Sequence, residues 1–276
     1  MTATDLAMVP ARTRVHKVTG RRVLRSEWAK FWSLRSSWIT LGVALVLLIL
    51  FGAIAGYTYS PGVTADGPPG PGSGSSDAVS LALTGVTFAS LAVGVLGVLL
   101  SAGEYSTGMI RSTLAAVPRR LPVLWSKSAV IGVIALVLTT IGALAAFLLG
   151  VPGLDGEKIS LSLGDDGVLR SLAGAGAYLG LVAVFGVALG VLLRSSAGAI
   201  AALVGILLIL PGLATLLPDS WYDTITPYFP SNAGSAIYSL TGSADSLSPG
   251  QGLAVFAGWV ALALAGAAYR LVRTDT

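Results

Sequence analysis

The chain contains no cysteine and a single histidine among its 276 residues. The lack of cysteine excludes disulfides, thiolate catalysis and metal sites built from thiolates. The one histidine, His16, lies in a polar N-terminal segment, so the sequence offers no imidazole cluster for a metal ion or for acid–base catalysis. Charge is scarce as well, because 11% of the residues are charged, whereas soluble domains carry about 25%.

Long apolar stretches make up much of the sequence. Hydrophobic residues make up 54% of the chain, and the mean hydropathy is +0.81. An α-helix rises ~1.5 Å per residue, so about 20 apolar residues cross the ~30 Å hydrocarbon core of a bilayer. We therefore predict an all-α, polytopic membrane protein with six transmembrane helices. The predicted spans cover about residues 38–57, 79–102, 123–149, 172–193, 197–217 and 253–271.

The segment before the first span divides into two parts. Residues 1–20 are polar and lack the apolar core of a signal peptide, so we expect a flexible cytoplasmic tail, followed by a single transmembrane domain over residues 21–276. From Arg21 onward, apolar residues with two tryptophans fill one half of a helical wheel, and basic and small polar residues fill the other. This pattern predicts an amphipathic helix in the membrane interface. The alternative is a flanking segment that only places positive charge on the cytoplasmic side.

Glu27 falls on the apolar side of that helix, and we expect it to pair with a cation or to pack against another subunit. The residues of the interfacial helix singled out here are Glu27, Trp28, Lys30 and Arg35.

The basic residues fix an orientation. A six-span chain with its N-terminus inside places 15 of the 17 basic residues on the cytoplasmic side, all but Lys158 and Arg170. By the positive-inside rule both termini are cytoplasmic. The excess of Arg over Lys, with abundant Ala, Gly and Val, is typical of a GC-rich bacterial genome, so we expect the plasma (inner) membrane. The pI near 9.5 is then explained by positive charge that faces membrane lipid of the anionic inner leaflet, without nucleic acid.

The stretch Ser101–Lys127 is a polar break that concentrates charge between two spans. Glu104 and Arg111 are seven residues apart, which predicts that they share one face of a loop helix. Pro118 is expected to end that helix and to leave Arg119 and Arg120 at its exit. The alternative is that these charges only anchor two spans to lipid headgroups.

This loop resembles the loop after the second span of ABC-2 type permeases, the membrane subunits of ATP-binding-cassette exporters. The segment with Glu27, Lys30 and Arg35 before the first span is similar to that family too, as is 227–234 before the sixth. The resemblance covers about residues 21–273. The residues that carry it in the loop are Glu104, Gly108, Arg111, Leu114, Pro118, Arg119 or Arg120, and Lys127.

The resemblance implies a function and partners. Two six-span subunits, identical or closely homologous, would pair and bind two cytoplasmic ATPase subunits, and the pair would export an amphipathic or apolar substrate such as a drug, a lipid or a peptide. The first cytoplasmic loop would couple to the ATPase through Glu104, Tyr105, Arg111, Arg119, Arg120 and Lys127. A path near the second and fifth spans would make Thr84, Thr87, Phe88 and Ser90 candidate lining residues.

Several chemistries are not expected. The chain has no GxxxxGK[ST] phosphate loop, so any ATP hydrolysis belongs to a partner subunit. Its spans offer hydroxyl groups without a base to activate them, so we predict neither an enzyme nor a cofactor. The acidic loop at 151–170 lacks the ligand spacing of an EF-hand, and no metal site is expected. The alternative function is a scaffold or regulator that binds a cytoplasmic partner without transporting anything.

Overall fold

Helices form the whole regular structure of the described residues, which are 19–60, 77–117, 120–241 and 246–273 of the computed structural model. No strand occurs in these ranges. Most of the predicted tail and of the linker at 60–77 lies outside the described residues, as do Pro118 and Arg119. Within the described ranges, six helical segments are long and apolar enough to cross a membrane, which confirms the prediction of an all-α, multi-pass protein.

The helices follow one another along the chain with connections of very different length. An interfacial candidate comes first, α1 (Gly20–Ser33), and the six spans follow with shorter helices between them. The remaining helices are α2 (Arg35–Tyr57), α3 (Ala78–Ala82), α4 (Val86–Ser106), α5 (Met109–Ala116), α6 (Leu121–Gly150), α7 (Val168–Leu193), α8 (Ser196–Val204), α9 (Leu210–Ala214), α10 (Asp219–Ile225), α11 (Pro230–Tyr238) and α12 (Pro249–Arg273).

Two spans depart from the predicted runs. The second was predicted as one helix over 79–102, but α3 ends at Ala82 and α4 starts at Val86. Gly85 lies in the break, where its backbone packs directly against the backbone of α2 at Leu48.

The fifth span consists of α8, a π-helical segment at Gly205–Ile209 and α9. Pro211 explains the wide turn before α9, because proline has no N–H to donate into an α-helical ladder.

The core is organised around α7, the most buried of the spans. It packs against α4, α6 and α12. A Cβ atom at Gly186 would collide with the carbonyl of Gly94 on α4, and one at Gly176 would collide with the Thr140 side chain on α6. The small residues of this span thus allow close helix approach, which is their usual use in membrane proteins.

One end of the bundle, here called the basic end, holds the guanidinium groups of Arg120, Arg194 and Arg270. Arg120 donates to the carbonyl of Leu271 (3.0 Å), and Arg194 donates to the carbonyl of Arg270 (3.4 Å). These contacts satisfy carbonyls at the C-terminal end of α12, which carry the negative end of the helix dipole. The basic end also holds α1, α5 and the start of α6, and it is where the candidate site lies.

Candidate functional site

α1 touches the bundle through one narrow stripe. Val23, Glu27 and Phe31 are buried and lie four residues apart, so they share one face, and α1 packs mainly against α6. Trp28 and Trp32 are about half exposed. The apolar half predicted from the sequence therefore splits into a stripe that faces protein and a flank that faces outward. The outward flank is what an interfacial helix would offer to lipid.

Four side chains from three helices form an ionic cluster at the basic end, defined as Glu27, Lys30, Glu104 and Lys127. The Lys30 Nζ lies 2.8 Å from Glu27 Oε1 and 2.9 Å from Glu104 Oε1. The Lys127 Nζ lies 2.8 Å from Glu27 Oε2 and 2.8 Å from Glu104 Oε1. Lys127 also donates to the carbonyl of Leu100 (3.1 Å), which uses its third proton. Two carboxylates and two ammonium groups balance one another.

Burial makes this pairing obligatory. Glu27, Glu104 and Lys127 are each at most 5% exposed, and an unpaired charge at that depth would be very costly. Burial by itself would raise the pKa of Glu27, but attraction and hydrogen bonds from Lys127 and Lys30 outweigh it and lower that pKa. Burial would lower the pKa of Lys30, but its bonds to Glu27 and Glu104 raise it. Both shifts favour the charged forms, so the ionic cluster fastens α1 to α4 and α6.

The expectation that Glu27 pairs with a cation is confirmed, and the cations are Lys30 and Lys127. The sequence signal was a carboxylate on an apolar helix face. No local signal identified Lys127 as the partner, because it comes from a different helix far along the chain. Glu104 and Lys127 are buried in the ionic cluster and are not displayed on the loop surface. Their role in coupling to an ATPase stays a prediction.

The prediction that Glu104 and Arg111 share a helix face is wrong. Glu104 lies in the last turn of α4, whereas Arg111 lies in α5. Gly108 separates the two helices with a φ of 72°, the left-handed conformation in which glycine commonly terminates a helix. The Gly108 N–H donates to the carbonyl of Tyr105 (3.2 Å). A seven-residue spacing implies a common face only within a continuous helix, and the glycine was the available signal against one.

α5 is a short amphipathic helix with a clear inside and outside. Ile110 and Leu114 are buried and anchor it to the bundle, while Arg111 and Ser112 are exposed. The helix ends at Ala116, before Pro118, as the sequence predicts. Arg111 therefore places a positive charge of this loop at the protein surface.

The other predicted loop and interfacial residues have separate roles. Tyr105 lies under the guanidinium of Arg194, which is 5.3 Å from the ring centroid. Arg120 binds the end of α12. Arg35 is exposed at the start of α2, and Leu34 is the one residue between α1 and α2.

The four candidate pathway residues do not line one surface. Thr87 and Phe88 are exposed, and the ring of Phe88 stacks on Phe51 of α2 with centroids 4.5 Å apart. Ser90 is buried and donates to the carbonyl of Thr87 (2.7 Å). Thr84 lies in the break before α4. The prediction treated them as one group, but the break and the helical turn direct them differently.

A cavity of about 210 Å³ lies beside the ionic cluster, between α1, α2, α4 and α6. Lys30, Glu104 and Lys127 contribute to one part of its wall, and apolar side chains such as Leu96 and Ile131 contribute to another. The ionic cluster therefore borders a space that side chains do not fill. Comparisons with protein-family models and with curated proteins found no match to this chain.

Proposed function

We propose that the chain is the permease subunit of an ATP-binding-cassette exporter of the ABC-2 type. Two copies, or one copy and a close homologue, form a path for an amphipathic or apolar substrate in a bacterial plasma membrane. Both termini and the basic end are cytoplasmic, and a separate ATPase subunit hydrolyses ATP. The observation that carries the proposal is α5, which is anchored through Ile110 and Leu114 and presents Arg111 at the surface of the basic end.

A coupling element needs a firm connection to the helices that it moves. α5 follows α4 after the turn at Gly108, and the last turn of α4 is bound through Glu104 to Lys30 of α1 and Lys127 of α6. A displacement of α5 by an ATPase would therefore reach three helices through direct contacts. Contiguous packed and hydrogen-bonded groups are the usual physical carriers of such coupling.

The pairing of two permease subunits is supported by the outer surface of the fifth span. The segment Ser196–Ala214 is among the least buried of the spans. A Cβ atom at Gly205 or Gly212 would meet nothing within 4 Å, so both glycines border open space. Exposed glycines permit a second helix to approach closely in a membrane, where small residues are favoured at helix contacts.

Arg111→Glu tests the proposal. The chain would be co-expressed with ATP-binding-cassette ATPases of its own genome, and co-purification and ATP turnover in vesicles would be measured. Reversing a charge that becomes desolvated at the interface should weaken the complex by about 30-fold or more. Lys158→Glu, an exposed lysine on the loop after α6, is the matched control and should change neither readout.

Two results would redirect the proposal. Full partner affinity and turnover in the Arg111→Glu variant would mean that α5 does not contact an ATPase. An ATPase that binds the unmodified chain without any substrate transport would instead identify the scaffold function.

A further inference from the structure

A groove of about 850 Å³ runs between the first turns of α1 and the outer face of α6, away from the ionic cluster. Arg21, Arg22 and Arg25 contribute to its α1 wall. Ala129 and Val133 contribute to its α6 wall, and both belong to a helix long and apolar enough to cross a membrane. The groove thus has a positively charged rim on α1 and an apolar wall on a candidate membrane-spanning helix.

Positive charge is concentrated at the rim. The N-terminal end of α1 carries the positive end of the helix dipole, and no acidic residue occupies its first turn. Arg21 and Arg22 add two positive charges to that turn, and the side chain of Thr19 does not cap it. Among the described residues, no salt bridge joins Arg21 or Arg25 to a carboxylate. A negative group bound here would offset both the dipole and the arginines.

The apolar walls of the groove indicate that a ligand also has an apolar part. Leu24 and Trp28 of α1 line the groove and are 42% and 45% exposed, and Val133 of α6 is 58% exposed. A soluble anion would leave these surfaces uncovered, whereas an acyl chain would cover them. Tryptophan at this position is also typical of the level where headgroups meet hydrocarbon.

The N-terminal segment of the chain is a poor occupant on grounds of charge. Residues 1–18 contain Arg12, Arg14 and Lys17 but a single acidic residue, Asp5. A segment with that excess of positive charge does not complement the arginine rim.

We propose that the groove binds one anionic phospholipid of the surrounding membrane. Its phosphate lies at Arg21 and Arg25, and an acyl chain lies along Ala129 and Val133. The site uses residues that the export proposal does not, so its test is independent of any ATPase.

Native mass spectrometry of the full chain in neutral detergent tests this site. Dioleoyl phosphatidylglycerol and dioleoyl phosphatidylcholine would be added at equal concentration, and the phosphatidylglycerol adduct should dominate. Each basic side chain near an anionic headgroup contributes about fivefold in affinity. The double variant Arg21→Gln with Arg25→Gln should therefore lower phosphatidylglycerol affinity about 25-fold and leave phosphatidylcholine binding unchanged.

The matched control removes two exposed arginines outside the groove, Arg35→Gln with Arg111→Gln. This control should keep the preference for phosphatidylglycerol over phosphatidylcholine. An equal loss of phosphatidylglycerol affinity in the control would show general charge attraction and overturn the proposal. Ala129→Trp fills the apolar wall while the arginines remain, so it should weaken lipid binding at least severalfold. It gives a second test if the arginine variant is poorly folded.

Two further outcomes would overturn the proposal. If glycerol 3-phosphate, which has no acyl chain, competes as well as the lipid at equal concentration, the groove is an anion site only. If deletion of residues 2–18 raises phosphatidylglycerol affinity tenfold or more, the N-terminal segment is its occupant.

Discussion

Lys30 of α1 and Glu104 of α4 are 74 positions apart in the sequence, and the Lys30 Nζ lies 2.9 Å from Glu104 Oε1. The same carboxylate oxygen accepts a hydrogen bond from Lys127 of α6 (2.8 Å). One oxygen therefore joins three helices at the basic end. A helix that lies beside the bundle on a single stripe of side chains gains a defined position from this contact.

Lys127→Met should destabilise the protein strongly. The substitution leaves Glu27 and Glu104 buried with Lys30, which is partly exposed, as their remaining cation. Breaking a buried ion pair by removal of one partner typically costs about 3–5 kcal/mol. The free energy of unfolding in detergent, followed by helix content, measures the loss.

Lys158→Met is the control for this substitution because Lys158 is exposed. It should change the free energy of unfolding by less than about 0.5 kcal/mol. A loss of similar size in both variants would mean that the ionic cluster contributes little to stability.

The helical type and the number of membrane-spanning segments could be predicted from the sequence, because an uncharged run of about 20 residues has one stable form in a bilayer. The span bounds were harder. Nothing in the run of small apolar residues at 79–102 indicates the break before Val86, which depends on contact between Gly85 and α2. Local patterns report faces of a helix but not which distant helix will lie against them.

The candidate site, too, could be predicted only where local sequence patterns determine it. The position of Glu27 on an apolar face predicted a cationic partner, but the identity of Lys127 follows only from the packing of α1 on α6. Glu104 and Arg111 have the spacing of residues on one helix face, but the prediction wrongly assumed that one continuous helix contains both. The amphipathic character of α1 was readable, whereas its division into a protein-facing stripe and an outward flank required the neighbouring helices.

Gly108→Ala should destabilise the turn between α4 and α5. Its φ of 72° is unfavourable for any residue with a Cβ atom, by about 1–2 kcal/mol. Gly103→Ala is the matched control, since Gly103 is helical in α4 and a Cβ atom there meets nothing within 4 Å. It should stabilise the chain by up to about 1 kcal/mol. The two free energies of unfolding should therefore change in opposite directions, and a shared sign would contradict the assigned turn.

Orientation can be tested with single cysteines, because the chain has none of its own. Ser112 is exposed on α5 at the basic end, and Asp166 is exposed on the loop before α7. If the basic end is cytoplasmic, an impermeant thiol reagent should label Asp166→Cys in intact cells. It should label Ser112→Cys only after the cells are opened. The reverse pattern would place the basic end outside and would remove the basis for coupling to a cytoplasmic ATPase.

Acid should release α1 from the bundle. The pKa of Glu27 is lowered below its ordinary value of 4.5, so its pairing stabilises the folded state above pH 4.5 and is lost as the pH falls through the lowered value. The pKa of Lys30 is raised above 10.5, so its contribution is present below pH 10.5 and is lost at higher pH. The groups that face Glu27 are Lys30 on its own helix and Lys127 on α6, with Glu104 of α4 bound to the same two lysines.

A spin label at Ala29→Cys, on the exposed side of α1, reports this release through its mobility. The spectrum should be constant near neutral pH and should become more mobile only as the pH falls below 4.5 and through the lowered pKa of Glu27. Glu27→Gln is the control that cannot titrate at this position. Since it removes one carboxylate at every pH, its label should already be more mobile at pH 7, and its acid step should be smaller. If the label in Glu27→Gln were as immobile at pH 7 as the label in the unmodified chain, packing of Val23 and Phe31, and not the ionic cluster, would hold α1 in place.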